Sequence, residues 1–178
     1  MKHLLAACLI STAVLSGCAA TVERGGLGTL VIPEPAKQNV TVAFKGNSKV
    51  EANSDWSLLQ RTWAESLKAE GAEKGYRITQ TDPETTPPKQ DGVLVLVSVS
   101  NFRFLTTGAR YGAGSMTGNA WVNSSADFVD LTTGRKVGTR TYDTTSTAWE
   151  GVMSAMTEKQ VRAISKQIIE DIKSAKPK

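Results

Sequence analysis

Two groups of residues in this sequence have the types and spacing that chemistry uses. The first is "GARYGAGSMTGN", residues 108–119, where Gly108, Gly112, Gly114 and Gly118 surround Arg110 and Tyr111. Glycine-rich loops cradle phosphates, but a Walker loop needs Lys-Ser or Lys-Thr after its last glycine, and Asn119 follows Gly118 here. A dinucleotide fingerprint needs a third glycine where Thr117 stands, and then a helix whose N-terminus meets the pyrophosphate. Ala120-Trp121-Val122 reads instead as a strand, so no nucleotide and no other cofactor is expected. Arg and Tyr are frequent interface anchors, so Arg110, Tyr111, Gly112 and Gly114, with Trp121 beyond them, form a candidate partner-binding loop. The second group is Asp127, Asp130 and Asp143, since a glycosidase needs two carboxylates across a sugar ring. Asp127 and Asp130 are three apart on a strand, which points them to opposite faces. A carboxylate-based envelope hydrolase is therefore only the alternative reading.

The opening "MKHLLAACLISTAVLSGCAA" has the layout of a secretory leader. Lys2 precedes an apolar run from Leu4 to Leu15, too short for a comfortable membrane span, and small residues follow. Leu15-Ser16-Gly17-Cys18 resembles the bacterial lipobox. That resemblance implies cleavage between Gly17 and Cys18, acylation of Cys18 with palmitate-type chains, and anchorage in a membrane. Each buried methylene contributes about 0.8 kcal/mol, so several chains on one cysteine hold durably. Residue 19 is Ala rather than Asp, which by the same resemblance implies the periplasmic face of the outer membrane of a Gram-negative cell.

Removal of residues 1–17 removes His3 and Cys8, the only histidine and the only cysteine besides Cys18. A chain without imidazole assembles neither Ser-His-Asp nor Cys-His catalysis, and it lacks the usual zinc ligands. The expectation is therefore no catalytic residue, no metal and no disulfide, with about 160 residues building one core. The net charge of +4 falls to +3 without Lys2. This mild excess is spread along the chain and does not suit nucleic acid; it reads as an ordinary solvated surface, with a weak preference for anionic lipid or polysaccharide as the alternative.

These residues must be positioned by a single α+β domain, expected over residues 39–174. Residues 18–38 hold Gly-Gly and two prolines and read as a lipidated N-terminus and flexible tether, with Leu30 to Ile32 touching the body; residues 175–178 read as a tail. "NVTVAF" (39–44) alternates as a strand. Trp56, Leu59, Trp63 and Leu67 then form a helical stripe behind a cap at Ser54 or Asp55, stopped near Gly75. "YRITQ" (76–80) is a short strand, and a proline-rich loop follows. "GVLVLVSVSNFRFL" (92–105) is the central strand, whose apolar phase changes near Asn101 and predicts a β-bulge. Strands over 119–131 and 136–149 flank the turn "TTGR". A final helix is predicted from a capping box at Thr157 to Gln160, with Val161, Ile164, Ile168 and Ile172 as its stripe. The order β-α-β-β-β-β-α predicts a mixed, mostly antiparallel sheet of about five strands, with two amphipathic helices on one face.

Arg110-Tyr111-Gly112-Ala113-Gly114, then a strand, then Asp130-Leu131-x-x-Gly134-Arg135, is similar to the bacterial lipoprotein family known as domain of unknown function 4410. The resemblance spans residues 40–173 in element order and adds placement and fold more than mechanism. The element order is also similar to that of the lipopolysaccharide-assembly lipoprotein of outer membranes, a likeness of architecture. The resulting expectation is an outer-membrane lipoprotein that acts as a non-enzymatic accessory or binding module, contacting a protein partner or an envelope polymer.

Overall fold

The computed structural model describes residues 20–104, 120–145 and 156–177. These fold as an α+β domain in which one six-stranded sheet carries its long helices on one face. The strands are β1 (Val22–Gly25), β2 (Asn39–Gly46), β3 (Arg77–Gln80), β4 (Val93–Arg103), β5 (Trp121–Asp130) and β6 (Arg135–Thr145). The helices are α1 (Glu34–Lys37), α2 (Ser48–Glu51), α3 (Trp56–Ala72) and α4 (Met156–Ser174). Spatial order is β1-β6-β5-β4-β2-β3, with β2 parallel to both β3 and β4 and every other pair antiparallel.

The core lies between the sheet and the two long helices. Val40, Val42 and Phe44 pair with Val93, Val95 and Val97, so their alternate side chains form one apolar surface. Onto it α3 lays Leu59, Trp63 and Leu67, while α4 lays Val161, Ile164, Ile168 and Ile172, all 2 % exposed or less. Gly75 takes φ +76° just beyond α3, the left-handed conformation that a side chain resists, and turns the chain into β3. The bulge anticipated near Asn101 is present between Val99 and Asn101. A second irregularity, between Phe128 and Val129, has no counterpart in the apolar pattern of the sequence.

The six strands include one whose residues, by composition, read as a tether. Residues 22–38 are not a spacer: β1 pairs with β6, and Leu30, Ile32 and Ala36 are buried in the core. Three polar anchorages hold this segment. The Arg24 guanidinium grips Asp171 of α4 through both carboxylate oxygens, and the Tyr142 hydroxyl donates to the same acid at 2.6 Å. Arg140 donates to the carbonyls of Leu27 and Gly28 at 3.2 and 2.7 Å. Buried Lys37 donates to the carbonyl of Ala175 at 2.7 Å. The expected tail is paired as well, since Lys176 donates its N–H to Leu30 at 2.8 Å and accepts that of Ile32 at 2.9 Å. Local composition cannot reveal contacts made across so much of the chain.

Caps also differ in detail. Asp55 is the N-cap residue of α3 but makes no side-chain cap bond; Asn53 accepts the Asp55 N–H instead. The capping box of α4 does not form. The helix already runs at Met156, so Thr157 lies within its first turn, and Gln160 donates to the Ala120 carbonyl at 2.9 Å. The predicted strand over 136–149 is described as far as Thr145.

Candidate functional site

Among the described residues, nothing covers the face of the sheet opposite the helices. Along β5 the even residues from Val122 to Asp130 are buried, while Trp121, Asn123, Ser125, Asp127 and Val129 are half-exposed on the open side. On β4 the phase before the bulge would aim residue 103 into the core. The extra residue between Val99 and Asn101 instead puts Phe102 inside and Arg103 outside, directly opposite Trp121. The Arg103 guanidinium carbon sits 5.6 Å from the centre of the Trp121 ring, a cation–π arrangement between cross-strand neighbours. Beneath it Phe102 packs on Trp56 at 6.2 Å between ring centres.

This pair stands at the root of the glycine-rich segment. Arg110, Tyr111, Gly112 and Gly114 lie outside the described residues, as do Gly17 and Cys18. Of the residues expected from the sequence to contact a partner, Trp121 is the one whose place is described. Arg103 was not among them. The phase change at Asn101 was the signal for it, because whatever turns Phe102 inward turns Arg103 outward beside Trp121.

Next along the open face is a shallow groove of about 510 Å³ lined by hydroxyls, including Ser98, Ser100, Ser125 and Thr141, with Lys45 and Asp143 at its sides. It offers hydrogen bonds in both directions and one charge of each sign.

The three aspartates are separated and occupied. Asp130 faces the helix side and holds the turn, accepting from the Thr132 N–H and the Thr133 hydroxyl, each at 2.9 Å. Gly134, at φ +70°, closes that turn. Asp143 accepts from the Asn123 amide at 3.0 Å. Asp127 accepts from the Thr139 hydroxyl at 2.7 Å and pairs with Lys136 at 2.9 Å. Asp127 and Asp143 share the open face, but their ladder positions opposite Thr139 and Asn123 differ by four residues of β5. That is about 13 Å at the rise of a strand. Retaining and inverting glycosidases use separations of about 5–9.5 Å. Burial pushes the Asp127 carboxyl up, but the bonds from Thr139 and Lys136 outweigh it and hold the acid below its ordinary value. A general acid needs the opposite shift.

This shift sets a sign for the pH dependence of stability. A carboxyl lowered in the folded state stabilises the fold above its unfolded value near 3.8, and this contribution is lost as pH falls through the lower folded value. Asp127→Asn is expected to cost under about 1 kcal/mol near neutral pH. The gap to wild type in urea midpoints should close as the solution is acidified below that range; a gap that widens on acidification would be the wrong sign.

Among the described residues no group of three potential metal-ligating side chains occurs, and no helix is long and apolar enough to cross a membrane. No protein-family model matches the chain, and no curated protein matches it. Among solved structures the chain is similar to the PelC dodecamer from Paraburkholderia phytofirmans, at 13 % identity, a TM-score of 0.51, and coverage of 88 % of this chain and 99 % of that one. It is also similar to an uncharacterized protein at 12 % identity, a TM-score of 0.53, and coverage of 82 % and 96 %. At these identities the likeness is one of fold.

Proposed function

We propose that this chain is a lipoprotein of the bacterial outer membrane, cleaved before Cys18 and acylated there, acting as a non-enzymatic accessory or binding module. The observation that carries the binding role is the Arg103–Trp121 pair, set by a bulge at the end of the sheet face that no described element covers. A cation over an indole, rooted in two strands of a rigid sheet, presents the side-chain types most frequent at binding hot spots. The hydroxyl-lined groove beside it extends the surface toward a polar protein segment or an envelope polymer. The occupied and separated aspartates support a binding role over hydrolysis. The PelC structure of similar fold is a dodecamer, and a second copy of this chain is among the partners this reading admits.

Crosslinking in intact cells tests it. The wild-type protein should give a stoichiometric adduct, and Arg103→Ala/Trp121→Ala should lose most of it while membrane fractionation stays unchanged. Arg110→Ala/Tyr111→Ala asks the same of residues 105–119. An adduct indifferent to both double substitutions would move the binding surface elsewhere.

A further inference from the structure

Because β1 is pinned to the domain, the described chain begins in contact with the body. Ala20 lines the groove between α3 and α4 together with Lys159, Arg162 and Lys166. Only Ala19 separates Ala20 from Cys18, so by covalent reach their Cα atoms are at most about 7.6 Å apart. An anchor on Cys18 therefore enters the membrane beside α4, and the domain has little freedom to hold another side toward the lipid.

The charge of that side matches. Lys159, Arg162 and Lys166 follow one another at three and four residues and are all exposed on the outer face of α4, with Lys173, paired to Glu170 at 3.8 Å, continuing the row. The acids in the groove are largely matched: Glu70 takes Arg162 at 2.9 Å, and Glu170 takes Lys74 at 3.3 Å. Lys159 and Lys166 have no ion pair among the described residues, and their stems are long enough to reach a phosphate layer. Glu73 and Glu158 are the exposed acids left nearby. On the opposite face, Lys136 is committed to Asp127, and Lys45, without an ion pair of its own among the described residues, lies within coulombic reach of the same acid.

We infer that the outer face of α4 is the membrane-facing side of this protein, with Lys159 and Lys166, on either side of the Glu70-bound Arg162, seated among anionic phospholipid headgroups beside the anchored Cys18. This rests on the proposed anchorage at Cys18 and deepens it. It also directs the open sheet face, with Arg103 and Trp121, away from the bilayer, where a partner can reach it.

The chain from Cys18 to Lys178 contains every described element, and Cys18 is its only thiol. Coupled through that thiol to a maleimide lipid, it can be placed on phosphatidylcholine vesicles with or without phosphatidylglycerol, and its lysines acetylated briefly and read by mass spectrometry. On phosphatidylglycerol vesicles Lys159 and Lys166 should react about fivefold more slowly than in the uncoupled chain, while Lys45 and Lys136 keep their rates. High salt should remove the protection. Unchanged rates at Lys159 and Lys166, protection of Lys45 and Lys136 instead, or equal protection on phosphatidylcholine alone would each overturn the inference. The coupling bypasses cellular acylation, so a failure of that reading would appear separately, in the mass of the cell-derived protein.

Discussion

Asp171→Ala is expected to lower the unfolding free energy by about 2–4 kcal/mol, the cost of breaking a buried, hydrogen-bonded charge pair whose cation can partly rehydrate. Asp171 is 2 % exposed, and it receives both the Arg24 guanidinium and the Tyr142 hydroxyl. Burial first, and then the bond to Asp171, keep the Tyr142 phenol protonated far above its ordinary range. The bond to Asp171 likewise raises Arg24. Truncation of the acid leaves the buried phenol without its acceptor and the Arg24 side chain, 40 % exposed, turned to water. Since Arg24 holds β1 against α4, the loss should also free the N-terminal segment. Hydrogen exchange over residues 22–32 should then accelerate well beyond the change in β4. Tyr142→Phe removes one bond and should cost about 1 kcal/mol, leaving that segment protected. An Asp171→Ala protein with wild-type urea midpoint and wild-type exchange at β1 would show that backbone pairing alone holds the strand.

Trp63→Ala should cost about 3–5 kcal/mol, the range for emptying an aromatic site in a packed core. Trp63 is fully buried and packs at 5.6 Å, ring centre to ring centre, on Phe44 of β2. Its indole N–H finds no hydrogen-bond partner among the described residues, so its contribution rests on shape and apolar area. Trp63→Phe should therefore recover a good part of the loss, which thermal unfolding followed by circular dichroism will measure. A loss under about 1 kcal/mol would mean that α3 can close the cavity against the sheet.

What was legible in the sequence follows from where the determining forces lie. The stripe of Trp56, Leu59, Trp63 and Leu67, and that of Val161, Ile164, Ile168 and Ile172, encode their own burial through local periodicity, and both helices stand where the stripes put them. The valines of β4 and the phase change at Asn101 are equally local, and the bulge is there. β1 is different. "VERG" has one apolar side chain, and its place is decided by pairing with residues 141–144 and by Asp171, over a hundred residues away. No window of sequence contains that information. Lys176 joins residues 30–32 for the same reason. α2 is a single turn capped by Asn47, too short for periodicity to register.

The candidate site divides in the same way. Trp121 was legible as a candidate contact beyond the glycine-rich loop, but its partner Arg103 emerges only when the bulge is carried one residue further and the two strands are put in register. The aspartates looked available because acids near strand ends resemble catalytic pairs; Lys136, Thr139, Thr133 and Asn123 engage them. The basic row of α4 was not singled out in the sequence, where the positive charge read as spread along the chain. Its meaning depends on Ala20 lying beside it, a consequence of the contacts that pin β1.

The proposed function and the orientation of α4 both stand on the anchor at Cys18, and the intact mass of the protein extracted from its own membrane fraction decides it. The expected species is a chain that begins at Cys18 and carries a thioether-linked diacylglycerol and an amide-linked acyl chain, both lost with Cys18→Ser. A chain cut elsewhere, or one beginning at Cys18 with a free thiol, would contradict the anchorage.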